Sequence, residues 1–260
     1  MRLRNRDGSE NRTEGLDKDL NMRLYRLKLA LCLLPALGMA AIVGAPPLQF
    51  ATPAIADDAS DAVALKAAAA SGEQWAQYNY GKILLEGKGV AKDVNAAAKM
   101  FAAAAAQGNH WAQFSLGELH MSGEGVAADP WKAAELFARS AAQGNEWAQY
   151  QLGQMNYEGT QIPQDLAKAR ELFEKSAAQN NAWAQLRLGE MYVAGNGVTR
   201  DLATGRALIE KSMAQGNLFA KVAFANLIHY SSPSKAIKLL REAAEAGNEL
   251  AKKRLKELRS

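Results

Sequence analysis

The tripeptide Trp-Ala-Gln occurs at Trp75-Ala76-Gln77, Trp111-Ala112-Gln113, Trp147-Ala148-Gln149 and Trp183-Ala184-Gln185, always 36 residues apart, and a degenerate copy follows at Phe219-Ala220-Lys221. No other feature narrows the fold as much. A period of this length marks one small unit repeated, and such a unit can bury its apolar face only against its neighbours. The chain is therefore predicted to be a solenoid. Its 260 residues are 48% apolar but only 7% aromatic, and an apolar complement made largely of alanine suits helix-on-helix packing. The expected fold class is all-α.

Each unit reads as helix A, a glycine loop and helix B. In the second, Asn109 is placed to cap helix A, and Ala112, Leu116 and Leu119 recur at helical spacing as a buried stripe. Gly117 sits within that helix, as do Gly81, Gly153 and Gly189 in the other repeats. A mid-helix glycine costs about 1 kcal/mol relative to alanine, so four of them point to close helix approach. Helix A ends at Gly87-Lys88-Gly89-Val90, Gly123-Glu124-Gly125-Val126, Gly159-Thr160-Gln161-Ile162 and Gly195-Asn196-Gly197-Val198, and Gln161 predicts a distorted third loop. None of these loops continues into the Lys-Ser/Thr of a phosphate-binding loop. Asp93, Asp129, Asp165 and Asp201 then stand where helix B needs a cap, with Pro130 at the first helical position. Phe101, Phe137, Phe173 and Ile209 face inward, and Gly108, Gly144, Asn180 and Gly216 end helix B.

The termini read as caps. Residues 57–72 align with a helix B that has no helix A, and Leu65 takes the slot of the inward phenylalanines. Five repeats are expected over 73–246, the fifth shortened at Tyr230-Ser231-Ser232-Pro233. A capping helix follows over 247–260, with Ala251, Leu255 and Leu258 facing inward among basic side chains.

Ahead of the repeats, Arg23, Arg26 and Lys28 precede an apolar run over 29–43, then Pro46-Pro47 and Ala54-Ile55-Ala56. These are the parts of a secretory signal over 22–56, with cleavage expected after Ala56 and a periplasmic or secreted mature chain. The alternative is an uncleaved membrane anchor, for which the run is short. Residues 1–21 read as a disordered segment or as a start chosen upstream of Met22. Cys32 lies within the apolar run, so the mature chain has no cysteine for a disulfide.

Written as N-x-W-A-Q-x-x-L-G, then G-x-G-V, then Asp and an Ala-rich helix ending in G-N, the unit resembles the Sel-one-like repeat, a relative of the tetratricopeptide repeat, over about residues 57–260. The resemblance implies a right-handed superhelix of antiparallel helix pairs. It also implies a noncatalytic adaptor, since many exported bacterial members serve envelope signalling, assembly or host interaction. A cysteine-rich branch associated with penicillin binding and β-lactamase activity staples its helix pairs with disulfides, which this chain cannot do. The family's usual residue in the Trp slot is small or charged.

That Trp slot is the candidate site. Each Trp lies about 100° from the buried Ala stripe, and the residues four and seven further on are polar in the first four repeats, as at Ser115 and Glu118. Trp75, Trp111, Trp147, Trp183 and Phe219, with Gln77, Gln113, Gln149 and Gln185, are expected to form a partner-binding column for another protein or, alternatively, for peptidoglycan or another glycan. The competing reading wedges each Trp between repeats as core. Trp131, in helix B, is expected to pack. The overall charge of +4 shows no basic stripe for nucleic acid. His120 takes a semi-buried packing slot, and no histidines share ligand spacing, so neither metal nor cofactor is expected. Ser232-Pro233-Ser234-Lys235 matches S-x-x-K of serine hydrolases without its companion elements. A monomer is expected.

Overall fold

The structure, a computed structural model, describes residues 58–258. The expectations for residues 1–21 and for the leader over 22–56 fall outside them. Within the described residues there are twelve helices and no strand. The A helices are α2 (Gln74–Glu86), α4 (His110–Ser122), α6 (Glu146–Glu158), α8 (Ala182–Ala194) and α10 (Leu218–Ile228). The B helices are α3 (Val94–Ala106), α5 (Pro130–Ala142), α7 (Leu166–Ala178), α9 (Leu202–Ala214) and α11 (Pro233–Glu245). The first described helix, α1 (Asp58–Ala70), packs on α2, and α12 (Glu249–Glu257) packs on α11. Each helix lies against its predecessor and its successor in the chain, the contact order of a solenoid of antiparallel pairs.

The pairs interlock through glycine and phenylalanine. Phe101, Phe137 and Phe173 are almost fully buried, and each rests on the mid-helix glycine of its own pair. A β-carbon on Gly117 would stand 2.6 Å from Phe137 Cε1, and one on Gly81 would stand 2.7 Å from Phe101 Cε1. The helix propensity lost at these glycines is offset by burying a ring worth about 1.5–3 kcal/mol. In the fourth pair Ile209 takes the ring's place and Gly205 stands at the contact on helix B, its β-carbon position 2.8 Å from Gly189 O.

Caps follow the sequence. Asn109, Asn145 and Asn181 Oδ1 accept from the backbone N–H three residues on at 2.9–3.0 Å, and Asp93, Asp129 and Asp165 do the same for helix B. Each of the first four hairpins is closed by a backbone bond at 2.9 Å from the aspartate N–H to a carbonyl of helix A, as from Asp129 to His120. The third loop keeps this closure between Asp165 and Asn156. Gln161 does not take the left-handed conformation that Gly125 (φ 69°) and Gly197 (φ 68°) adopt in the same slot, so the distortion stays local. Asn180 is left-handed, with φ 67°.

The two helices of a repeat are also tied by a buried serine. Ser140, Ser176 and Ser212 Oγ donate at 2.6–2.7 Å to the carbonyls of His110, Glu146 and Ala182, the first residues of the A helices. Among the described residues no helix is long and apolar enough to cross a membrane.

The A-helix face as candidate interaction site

A helical step of about 100° puts residues 111, 115, 118 and 122 on one stripe of α4, turned away from the buried Ala112, Leu116 and Leu119. The same stripe on each A helix begins with the aromatic of the Trp slot. Trp75, Trp147 and Phe219 are 49%, 39% and 47% exposed, while Trp111 and Trp183 are half-buried. Large apolar rings this open are uncommon on a well-packed element. Two of the rings touch across a repeat boundary: Trp183 and Phe219 have centroids 5.2 Å apart at 47°, and Trp183 also packs against the C-terminal core. Trp75 instead meets Tyr78 of its own helix edge-on at 6.1 Å. The column is therefore neither free surface nor core: its rings are in part packed, Trp183 on the following repeat, and in part open to solvent.

The glutamines of the column do not share that exposure. Gln77, Gln113, Gln149 and Gln185 are 2–8% exposed, which corrects their assignment to a partner-binding surface. Each is spent on two bonds. Gln113 Nε2 donates to Ala105 O of the preceding helix B at 3.3 Å, and its Oε1 accepts from Gln143 Nε2 of the following helix B at 2.9 Å. The pattern repeats from Gln107 to Gln77, Gln179 to Gln149 and Gln215 to Gln185 at 2.8 Å. The result is an amide ladder joining three successive helices at each of the first four repeats. Its second half, Gln107 to Gln215 at 36-residue spacing just before G-N or N-N, was visible as a repeat but carried no sign of its partner.

Trp131 needs a second correction, because it is 63% exposed rather than packed. It is the second residue of α5, off the stripe that holds Ala133, Leu136 and Phe137, and its equivalents Asn95, Ala167 and Ala203 are exposed as well. His120 is buried, with Nδ1 3.1 Å from Ala127 O, so it fastens the second loop.

Between adjacent A helices the stripe is polar and connected. Arg187 of α8 donates through Nε to Gln154 Oε1 of α6 at 3.1 Å and through Nη1 to Glu190 at 2.9 Å. Tyr78 of α2 reaches Ser115 of α4, and its hydroxyl pKa is pushed up to about 12 by burial, then by the charges of Glu118 and Glu86. Glu118 is exposed on the stripe, yet neighbouring side chains crowd it enough that burial raises its carboxyl above the usual range. Burial likewise raises Tyr150, against the lowering effect of Arg187. Ser232 is exposed at the start of α11, and Lys235 Nζ lies 5.7 Å from the centroid of the Phe224 ring. Among the described residues no three His, Cys, Asp or Glu side chains cluster to hold a metal.

The Sel1 repeat model matches residues 76–109, 112–145, 148–181, 184–217 and 230–248, leaving out the stretch that forms α10, helix A of the fifth repeat. Among solved structures the chain is similar to a protective antigen of uropathogenic Escherichia coli strains that displays an SLR fold, at 34% identity and a TM-score of 0.69. That likeness covers 78% of this chain and 44% of the antigen, so the chain spans less than half of its length. A Sel1 repeat protein from Oxalobacter formigenes is similar at 26% identity and a TM-score of 0.64, over 70% of this chain and 76% of that one. No curated protein matches.

Proposed function

The chain belongs to the Sel1 repeat family, and from that premise we propose that it is a noncatalytic adaptor in the bacterial cell envelope, scaffolding a membrane-associated signalling or assembly complex through its A-helix face. Sel1 repeat proteins typically act as scaffolds for protein–protein interaction. The observation that carries the reading is the row of half-open rings, with Trp75, Trp147 and Phe219 each at least 39% exposed on a face whose helices are held in register by buried amide and hydroxyl bonds. Such a surface offers large contact area at little ordering cost. The envelope location rests on the basic and apolar leader ahead of Ala56. Export also fits the description of the 34% identical relative as a protective antigen. The glycan reading is the weaker, because the glutamines that would serve as its hydrogen-bonding partners are engaged inside the stack.

The test is capture of partners from envelope extract by the full chain beside a Trp75→Ser/Trp147→Ser variant, with circular dichroism as the folding control. A protein retained by the wild type and lost by the folded variant is the expected result. Equal retention by both would remove the Trp edge from the account.

A further inference from the structure

The A helices carry Lys82, Arg187 and Lys221 against Glu86, Glu118, Glu146, Glu158 and Glu190, and these cations are already engaged. Lys82 Nζ lies 5.9 Å from the centroid of the Tyr78 ring, Arg187 is bound to Glu190 and Gln154, and Lys221 reaches Glu242 of helix α11 at 3.1 Å. Of the carboxylates, Glu86 takes Lys88 at 2.6 Å, while Glu158 receives the neutral amide of Gln154 and has no ion pair among the described residues. Glu118 has no ion pair among the described residues, and burial has already raised its pKa.

These two carboxylates fall on the aromatic stripe. Glu118 is seven residues after Trp111, two turns and about 10 Å along the same face of α4. Glu158 is eleven residues after Trp147, three turns and about 16 Å along α6. On two neighbouring A helices, then, a half-open indole stands at one end of the stripe and a carboxylate without a cation at the other, with neutral Ser115 and Gln151 between. An indole face attracts a guanidinium or ammonium group, and a partly desolvated carboxylate gains most from a cation brought beside it. An acidic segment would meet repulsion at the same two points.

Building on the scaffold reading, we propose that the A-helix face binds a lysine- and arginine-rich segment of the partner protein, with its cations at Glu118 and Glu158 and its longer side chains over the Trp edge. The recognition is charge-assisted, so it weakens as salt screens the exposed part of the contact.

The test uses the full chain and two synthetic amphipathic peptides of equal length and identical apolar face, one with lysine and arginine on its polar face and the other with glutamate. Titration calorimetry should find the basic peptide bound about tenfold or more tightly than the acidic one. The Glu118→Gln/Glu158→Gln variant, with unchanged circular dichroism, should lose about five- to tenfold of that affinity. Equal or tighter binding of the acidic peptide, or indifference of the basic peptide to the glutamate substitutions, overturns the proposal. Partner capture separates this from the scaffold reading. Loss in the Trp75→Ser/Trp147→Ser variant but not in the glutamine variant sinks the charge assignment alone, and retention by both sinks the two together. Quenching of Trp fluorescence by muropeptides, with no binding of either peptide, would give the face to a glycan and overturn both.

Discussion

At the scale of single residues, the tripeptide that announces the repeat divides its labour. Ala112 is fully buried, Trp111 is split between its repeat and solvent, and Gln113 bridges the helices before and after it. The glutamine was legible as a recurring residue and misread as a binding group. A helical wheel places it one step from the buried alanine but does not say which side the previous repeat covers. Its role predicts a stability effect with no direct role in partner contact. Gln149→Ala removes the acceptor for Gln179 and the donor to Ala141 O in a buried position, which costs about 1–3 kcal/mol. A fall of that size in the urea unfolding free energy checks it; a change under a few tenths would mean that water replaces the ladder at no cost.

At the scale of elements, most of the architecture could be read in advance. Caps, glycine loops and inward rings are local chemistry, and Asn109, Asp129, Pro130 and Phe137 all stand where the pattern put them. What the pattern could not give were contacts between helices 36 residues apart, which depend on the angle and offset of stacking. The reach of Tyr78 from α2 to Ser115 and Glu118 on α4 is one of these, and it has a consequence for pH. A tyrosine keeps its proton in the unfolded chain up to its ordinary pKa of 10.0, whereas folded Tyr78 keeps it to about 12. Below the first value both states are protonated and the shift changes nothing; between the two the unfolded chain releases a proton that the folded chain holds, so stability falls as pH rises through that window. Tyr150 is shifted in the same direction by burial. Tyr78→Phe should therefore flatten part of the alkaline loss in urea midpoint measured from pH 10 to about 12, and near-ultraviolet titration should lose a late-ionising phenol. An unchanged alkaline slope would mean that Tyr78 ionises as an exposed tyrosine does.

At the scale of the whole molecule, a solenoid turns one local decision into a surface. A Trp in the Trp slot once would make a hydrophobic spot; repeating it at 36 residues makes an edge that runs from Trp75 to Phe219 on helices locked in register. The repeat gave away the existence of that edge, but how much of each ring stays open followed only from stacking. Trp183 leans on Phe219, whereas Trp147 remains 39% exposed. On this reading partners meet the A-helix face and not the B-helix face. A photo-crosslinking amino acid placed at Gln154 on the A stripe, and in a separate chain at Lys99 on exposed helix B, tests it in the producing cell. A discrete protein adduct is expected from position 154 and none from position 99. An adduct from position 99 with none from 154 would contradict it and move the interaction to the other side of the stack.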